Sequence, residues 1–365
     1  MRTKLALSTL CENPDRRTGL STLFPEFIRH ARKVFPEVAW IVFTGRPELW
    51  QDVDPGIEIC SDFPSNERPL VRLLSDHFCV APEARRRGAA ALVTVGFLPV
   101  RSSGMPVVMQ VFAAGNQGQV SGLRSLYRQW TMARGLREAA LVITNSEWAR
   151  TALGHTSAPV VVSPEGLRHD VFKTDGATAT SDGYFLWVSN FYAYKRAELA
   201  LRAYAGLAPE TRARHPFVLV GGDWRGGRAC AEAEAARLGI GDNVRFKGWV
   251  GDDELPGLYS GALAHVLSTS SETFGRSLLE SMACGCPSVV QDIPVLREVA
   301  GDAAVFVDFG DTPAATAALE RVGTDGLARS RLVAAGIARA ASFSFERLAR
   351  ERVGAILDIL EGKKP

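Results

Sequence analysis

Short apolar runs rich in Val, Ile and Leu recur along the chain, separated by longer stretches in which apolar and charged positions follow a helical spacing. Strands that are apolar on both faces suit a parallel sheet covered by helices on each side. Two such series are visible. In the first half, residues 5–10, 38–43, 91–95, 107–111, 141–144 and 160–162 are predicted strands, with helices near 20–34, 71–87 and 122–137 between some of them. Thr144-Asn-Ser-Glu147 has the pattern of a capping box that opens another helix. In the second half the predicted strands are 184–188, 217–220, 244–246, 264–267, 288–290 and 304–307, again with helices between them. The small, polar stretch from Lys173 to Gly183 reads as an interdomain linker, and 345–360 as a closing amphipathic helix.

This pattern predicts an α/β protein of two Rossmann-like domains, residues 1–173 and 174–344, followed by 345–365 as a terminal helix. At 365 residues the chain can bury two cores. Its 42 basic and 40 acidic residues nearly cancel, which gives electrostatics no case for a nucleic-acid partner. The six cysteines are scattered, and Cys284 and Cys286 have no second pair or nearby His to make a zinc site. Reduced thiols in a cytoplasmic protein are the reading they favour. The N-terminus is too soon polar for a signal peptide, and no apolar run approaches the ~20 residues of a membrane span.

The most telling segment is Ser268-Thr-Ser-Ser-Glu272-Thr-Phe274-Gly275-Arg276-Ser-Leu-Leu-Glu280-Ser-Met-Ala-Cys-Gly285-Cys-Pro287. It follows an apolar strand, turns at Gly275, runs as a helix to Ala283 and stops at Gly285 and Pro287. Gly275 would let the backbone approach a ligand closely at a helix N-terminus, where N–H groups and the dipole favour an anion. Two carboxylates, Glu272 in the loop and Glu280 in the helix, suit a ligand with hydroxyls on both sides of a phosphate.

This segment resembles the Glu-x7-Glu motif of retaining glycosyltransferases of family 4, which have the GT-B fold: two Rossmann-like domains facing across a cleft, with a terminal helix crossing back to the first. The resemblance implies that the second domain binds a nucleotide-sugar donor, with Glu272 on the transferred hexose, Glu280 on the ribose hydroxyls, and Phe274, Gly275 and Arg276 in the donor site. Phe185-Leu-Trp-Val-Ser-Asn190-Phe-Tyr-Ala-Tyr-Lys195 resembles the family's diphosphate loop, in which an Arg and a Lys five residues apart are common. Lys195 holds the lysine position and Asn190 the arginine position, a departure that removes one charge. Arg196 or Arg276 could help to replace it. Gly221 and Gly222 resemble the glycine turn facing the cleft, and the backbone at Trp249 and Val250 the strand and loop that meet the base.

In the first domain, Gly19 lies where related enzymes place a glycine loop near acceptor and donor phosphates. Many members carry a histidine after the strand corresponding to 107–111; here the sequence is Gln110-Val-Phe-Ala-Ala-Gly-Asn116-Gln117. Either another group such as Asn116 contacts the sugar, or the acceptor site is built differently. His77 and His155 fall elsewhere and read as structural. The implied reaction is retaining, metal-independent transfer of a hexose to a hydroxyl of a glycan, lipid-linked or small-molecule acceptor, with the nucleotide-diphosphate sugar as co-substrate and no cofactor. Arg29, Arg32 and Lys33, with Arg85-Arg86-Arg87, read first as solvated helix ends; their alternative use is to place the first domain against anionic lipid, or a lipid-diphosphate acceptor, at the inner face of a membrane. The rivals are a GT-B nucleotide-sugar epimerase and a catalytically silent sugar-nucleotide-binding protein. A dehydrogenase would need Gly-x-Gly-x-x-Gly after the first strand, which is absent.

Overall fold

The computed structural model describes residues 3–12, 19–112, 122–174, 183–223 and 226–363. Within them the aliphatic runs form two sheets in which every strand pair is parallel. The first sheet contains β1 (Lys4–Ser8), β2 (Ala39–Phe43), β3 (Glu58–Cys60), β4 (Ala91–Val95), β5 (Val107–Val111), β6 (Leu141–Thr144) and β7 (Val160–Val162), in the order β3-β2-β1-β4-β5-β6-β7. Its helices are α1 (Gly19–Val34), α2 (Pro69–Phe78), α3 (Val80–Arg86), α4 (Leu123–Glu138) and α5 (Glu147–Ala152). Strands β5 and β6 are buried along their whole length, which is why they read as unbroken apolar runs and not as alternation.

The second sheet contains β8 (Tyr184–Val188), β9 (Phe217–Val220), β10 (Val244–Lys247), β11 (Ala262–Leu267), β12 (Ser288–Gln291) and β13 (Val305–Val307), in the order β10-β9-β8-β11-β12-β13. Around it lie α6 (Ala197–Ala205), α7 (Pro209–Arg214), α8 (Gly227–Arg237), α9 (Leu255–Ser260), α10 (Arg276–Ala283), α11 (Pro294–Ala300), α12 (Thr312–Thr324) and α13 (Gly326–Ala340). From β8 the chain moves outward to β9 and β10, whereas from β11 it moves the other way. Strand order therefore reverses between β8 and β11, and the loops leaving those two strands diverge around a crevice of the kind in which open α/β sheets bind ligands.

Contacts divide the chain into two units, one of residues 1–166 and 344–365 and one of residues 167–343. The junction thus falls before the expected 173/174. Leu167 donates its N–H to the Phe343 carbonyl at 3.1 Å, a His169 ring nitrogen lies 2.9 Å from the same oxygen, and Phe172 packs edge-on against Tyr259, so 167–172 are tied to the second unit. Residues 175–182 of the expected linker lie outside the described residues.

The last helix, α14 (Phe345–Leu360), returns to the first unit as expected. Ser344 caps it by accepting from the Arg347 N–H. Its apolar stripe, Phe345, Leu348, Ala349, Val353 and Ile356, shares a core with Leu23, Phe24, Phe27 and Ile28 of α1. Fully buried Arg352 lies in the same stripe. Its guanidinium donates to Gln110 Oε1 at 2.7 Å and to the Ser163 carbonyl at 3.0 Å, and lies over the rings of Phe27 and Phe112. Burial pulls its pKa down to about 10.

Three local expectations are corrected. The predicted helix 71–87 is two helices broken at Cys79, because Pro82 has no N–H to donate to the Phe78 carbonyl and its ring crowds that oxygen. The edge strand β3 escapes the pattern because Glu58-Ile-Cys60 is three residues long and only partly buried. The cap of α5 is Ser146, which accepts from the Ala149 N–H; Thr144 is still in β6, its hydroxyl donating to the Ser146 carbonyl. No helix among the described residues is long and apolar enough to cross a membrane.

Candidate functional site

The loops after β8 and β11 meet at the switch point of the second sheet. After β8 the chain makes a single 3-10 turn at Ala193–Lys195 and then places Arg196 in the left-handed region, φ 53° and ψ 44°. That conformation costs a non-glycine residue about 1 kcal/mol or more. The loop after β11 offsets it: Ser268 Oγ lies 3.1 Å from the Lys195 carbonyl and 2.8 Å from that of Arg196, while Ser270 N–H donates to the Tyr194 carbonyl at 2.8 Å. The hydroxyl run Ser268–Ser271 therefore clamps one loop to the other.

Held this way, Lys195 Nζ donates to Glu272 Oε1 in an ion pair whose side chains are only 13% and 12% exposed. Lys195 also lies 5.1 Å from the centre of the Tyr194 ring, which stacks on Tyr192. Phe274 is buried against Phe343, and Gly275 begins α10 at φ 96° and ψ 53° with no side-chain cap. A methyl group on Gly275 would sit 2.6 Å from Leu296 of α11. The loop thus delivers an uncapped helix N-terminus and a Lys–Glu pair from the ends of adjacent strands.

Glu280 lies one to two turns into α10, with 12% of its side chain exposed. Its Oε2 accepts from the buried Tyr259 hydroxyl at 3.2 Å, and Arg276 Nε lies 3.9 Å from Oε1. Burial pushes its pKa up to about 7, with Asp252 adding in the same direction and Arg276, Tyr259 and Arg168 opposing. Arg168 is ion-paired with Asp252 at 2.7 Å. Neither Tyr259 as a partner of Glu280 nor Arg168 could be read from the sequence, because both arrive from distant elements. The only signal was the position of Tyr259 in the segment after β10.

Asn190 uses its side-chain oxygen to accept from Gly222 N–H at 3.2 Å, joining the loops after β8 and β9. Gly221 is required by space as well as by its φ of 153°: a Cβ there would lie 1.7 Å from the Ser189 carbonyl oxygen. Trp249 is exposed after β10, and Val250 partly so. The structure therefore brings Lys195, Glu272, Phe274, Gly275, Arg276 and Glu280 onto one loop-helix element and its neighbour, and links Asn190 to Gly222. Of the two arginines that could supply the missing charge, Arg196 is paired with Glu198 at 2.7 Å and Arg276 neighbours Glu280. Gly19 is the first residue of α1 in the other unit, and Asn116 lies outside the described residues. His77 is structural. It is buried, accepts from the Val100 N–H at Nδ1, and is hydrogen-bonded through Nε2 to the Tyr127 hydroxyl.

Residues 170–339 match the family described as Glycosyl transferases group 1. The chain is 28% identical over 246 residues to the O-antigen chain mannosyltransferase B of Escherichia coli, a match covering 64% of each protein. It is 36% identical over 173 residues to the D-inositol 3-phosphate glycosyltransferase of Frankia alni, covering 45% of this chain and 42% of that one. The chain thus spans less than two thirds of these relatives. In structure it resembles sucrose-phosphate synthase of Thermosynechococcus elongatus, with TM-score 0.82, 18% identity and coverage of 99% and 100% of the two chains. It also resembles Anabaena HepE in complex with UDP-glucose, with TM-score 0.77, 16% identity and coverage of 97% and 99%. The fold is GT-B, and within it residues 170–339 are similar to the group 1 glycosyl transferases.

Proposed function

We propose that the protein transfers a hexose from a nucleoside diphosphate donor to an acceptor hydroxyl, with retention at the anomeric carbon and without a metal ion. The observation that carries this reading is the Lys195–Glu272 pair at the strand-order reversal, with Glu280 eight residues further on in the helix that starts at Gly275. The donor diphosphate would lie against Lys195 and the α10 N-terminus, Glu272 would accept from hydroxyls of the hexose, and Glu280 from the ribose. As the bond from the anomeric carbon to the phosphate oxygen breaks, charge grows on the diphosphate. Lys195, whose ammonium is already fixed by Glu272 and the Tyr194 ring, is placed to meet that charge. The acceptor oxygen would attack from the face the diphosphate leaves, its proton passing to a phosphate oxygen, so that no separate base is needed. HepE, whose structure contains UDP-glucose, suggests the kind of donor, and the mannosyltransferase a second sugar to try.

A thermal-shift screen of nucleoside diphosphates and their hexose esters tests this directly. A true donor at ~100 times its Kd adds about 2.7 kcal/mol of stability. Donor-dependent stabilisation together with retained anomeric configuration in the product supports the reading, whereas no stabilisation by any nucleoside diphosphate contradicts it.

A further inference from the structure

Among the described residues, seven of the nine large apolar side chains left exposed lie between Leu70 and Trp130 of the first unit. That clustering is not the scattered exposure ordinary on a soluble surface. Leu70, Leu74 and Phe78 recur every fourth residue along α2 with Val71 beside them, and Leu126 and Trp130 are spaced the same way on α4. Buried His77 ties the two helices to the segment between them: its ring is bonded to Tyr127 of α4 and receives the Val100 N–H, and its carbonyl accepts from the Arg101 N–H. The ring centres of Phe78 and Trp130 lie 6.4 Å and 6.3 Å from that of His77. Leu70, Leu74, Phe78, Val100, Leu126 and Trp130 therefore belong to one face.

Its charged residues are nearly all of one sign. Arg68, Arg101, Arg128 and Arg137 are exposed on these elements, and none makes an ion pair among the described residues. The acid within α2, Asp76, is 1% exposed and is held by Arg72 and Ser8. Exposed Glu67 and Glu138 stand only at the ends, Glu138 paired with Arg134. An apolar face set among unpaired arginines, with a half-exposed tryptophan, has the chemistry of a surface that lies on anionic lipid. A second copy of the chain would instead bring these arginines against their own kind.

We propose that the α2–α4 face docks on an anionic bilayer, its apolar side chains entering the interface and its arginines meeting lipid headgroups. The basic cluster at Arg85–Arg87 borders this face through Arg85, which donates to the Ser103 carbonyl, whereas Arg29–Lys33 lies on α1, which contributes no residue to it; the proposal does not depend on the glycosyl-transfer reading. The full chain should co-sediment with vesicles of equal parts phosphatidylglycerol and phosphatidylcholine, less so with phosphatidylcholine alone, and less as salt rises. Leu74→Ser with Trp130→Ser should weaken that binding ~10-fold or more, and Arg137→Glu with Arg101→Glu, the arginines that continue the Leu126 and Trp130 spacing and adjoin Val100, should abolish the preference for anionic lipid. All four positions are exposed, so unfolding should be unchanged, which a melting curve checks. Donor stabilisation in the thermal-shift screen should also persist in both variants. Equal binding to the two vesicle types, undiminished binding by the double variants, or no binding at all overturns the proposal. So does a dimer in sedimentation velocity that the Leu74/Trp130 variant dissolves, since it would give this face to a second copy.

Discussion

Lys195 and Glu272, 77 residues apart in sequence, form an ion pair across the point at which the second sheet reverses its strand order. Neither residue sits in a regular helix or strand, and each owes its position to hydrogen bonds between two loops. The pairing fixes the Lys195 ammonium in one place, the place at which the proposed reaction would put the leaving diphosphate.

Lys195→Ala should accordingly lower kcat by about 10²- to 10³-fold, as removal of a positioned charge-stabilising donor does in other sites, with a much smaller change in KM. Because Asn190 supplies no charge, the upper end of that range is expected. Steady-state kinetics with the donor found by thermal shift checks it; a near-normal kcat removes Lys195 from the reaction.

Glu280 predicts a pH effect whose sign follows from its burial. In the free protein its pKa stands at about 7, so it is partly neutral at neutral pH. Ribose hydroxyls donate to the charged form and should lower that pKa on binding, so binding releases a proton. Affinity for the nucleoside diphosphate should therefore fall as pH drops below about 7, approaching ~10-fold per pH unit. Phosphate titration contributes to the same curve. Glu280→Gln keeps the phosphate part and loses the other, and calorimetry at several pH values reads the difference. Superimposable profiles for the two proteins would rule out the ribose role.

Gly221 is the position least tolerant of a side chain in this region. Gly221→Ala must move the Ser189 carbonyl or open the turn after β9, and with it the Asn190–Gly222 bond. A loss of roughly 2–4 kcal/mol of stability, or a folded protein with strongly weakened diphosphate binding, is expected. A variant that both melts and binds like the parent would show that the turn is looser than it stands here.

How much of this was legible beforehand depended on range along the chain. All six strands of the second sheet were readable because short apolar runs bounded by turn residues leave a local signal, and 345–360 was readable as an amphipathic helix, whereas its return to the first unit was expected from the family resemblance alone. Glu272, Glu280 and Gly275 were visible because a turn, a helix and a stop lie within twenty residues. The Glu280–Tyr259 bond, the Arg168–Asp252 pair and the Ser268 clamp on Arg196 were not, since each joins elements whose proximity is set by the sheet order alone. The break at Cys79 was legible in principle from Pro82, but the helical spacing of the flanking apolar residues masked it.

Arg352 ties the returning helix to the first sheet with bonds to neutral acceptors. Arg352→Met keeps the bulk but leaves Gln110 Oε1 and the Ser163 carbonyl without their donor, which should cost about 2–4 kcal/mol. Denaturant unfolding gives the figure, and a drop below about 1 kcal/mol would mean that these acceptors find other partners.

The central claim is that recognition of nucleotide and of sugar is divided between two glutamates on one element, and binding calorimetry of Glu272→Ala and Glu280→Ala against a nucleoside diphosphate and its hexose ester tests it most directly. Glu280→Ala should lose at least ~10-fold in affinity for both ligands. Glu272→Ala should bind the bare diphosphate like the parent and lose only the added affinity the sugar confers, along with transfer. If Glu272→Ala weakens the bare diphosphate as much as the sugar ester, or Glu280→Ala weakens neither, the division does not exist and the proposed donor site is wrong.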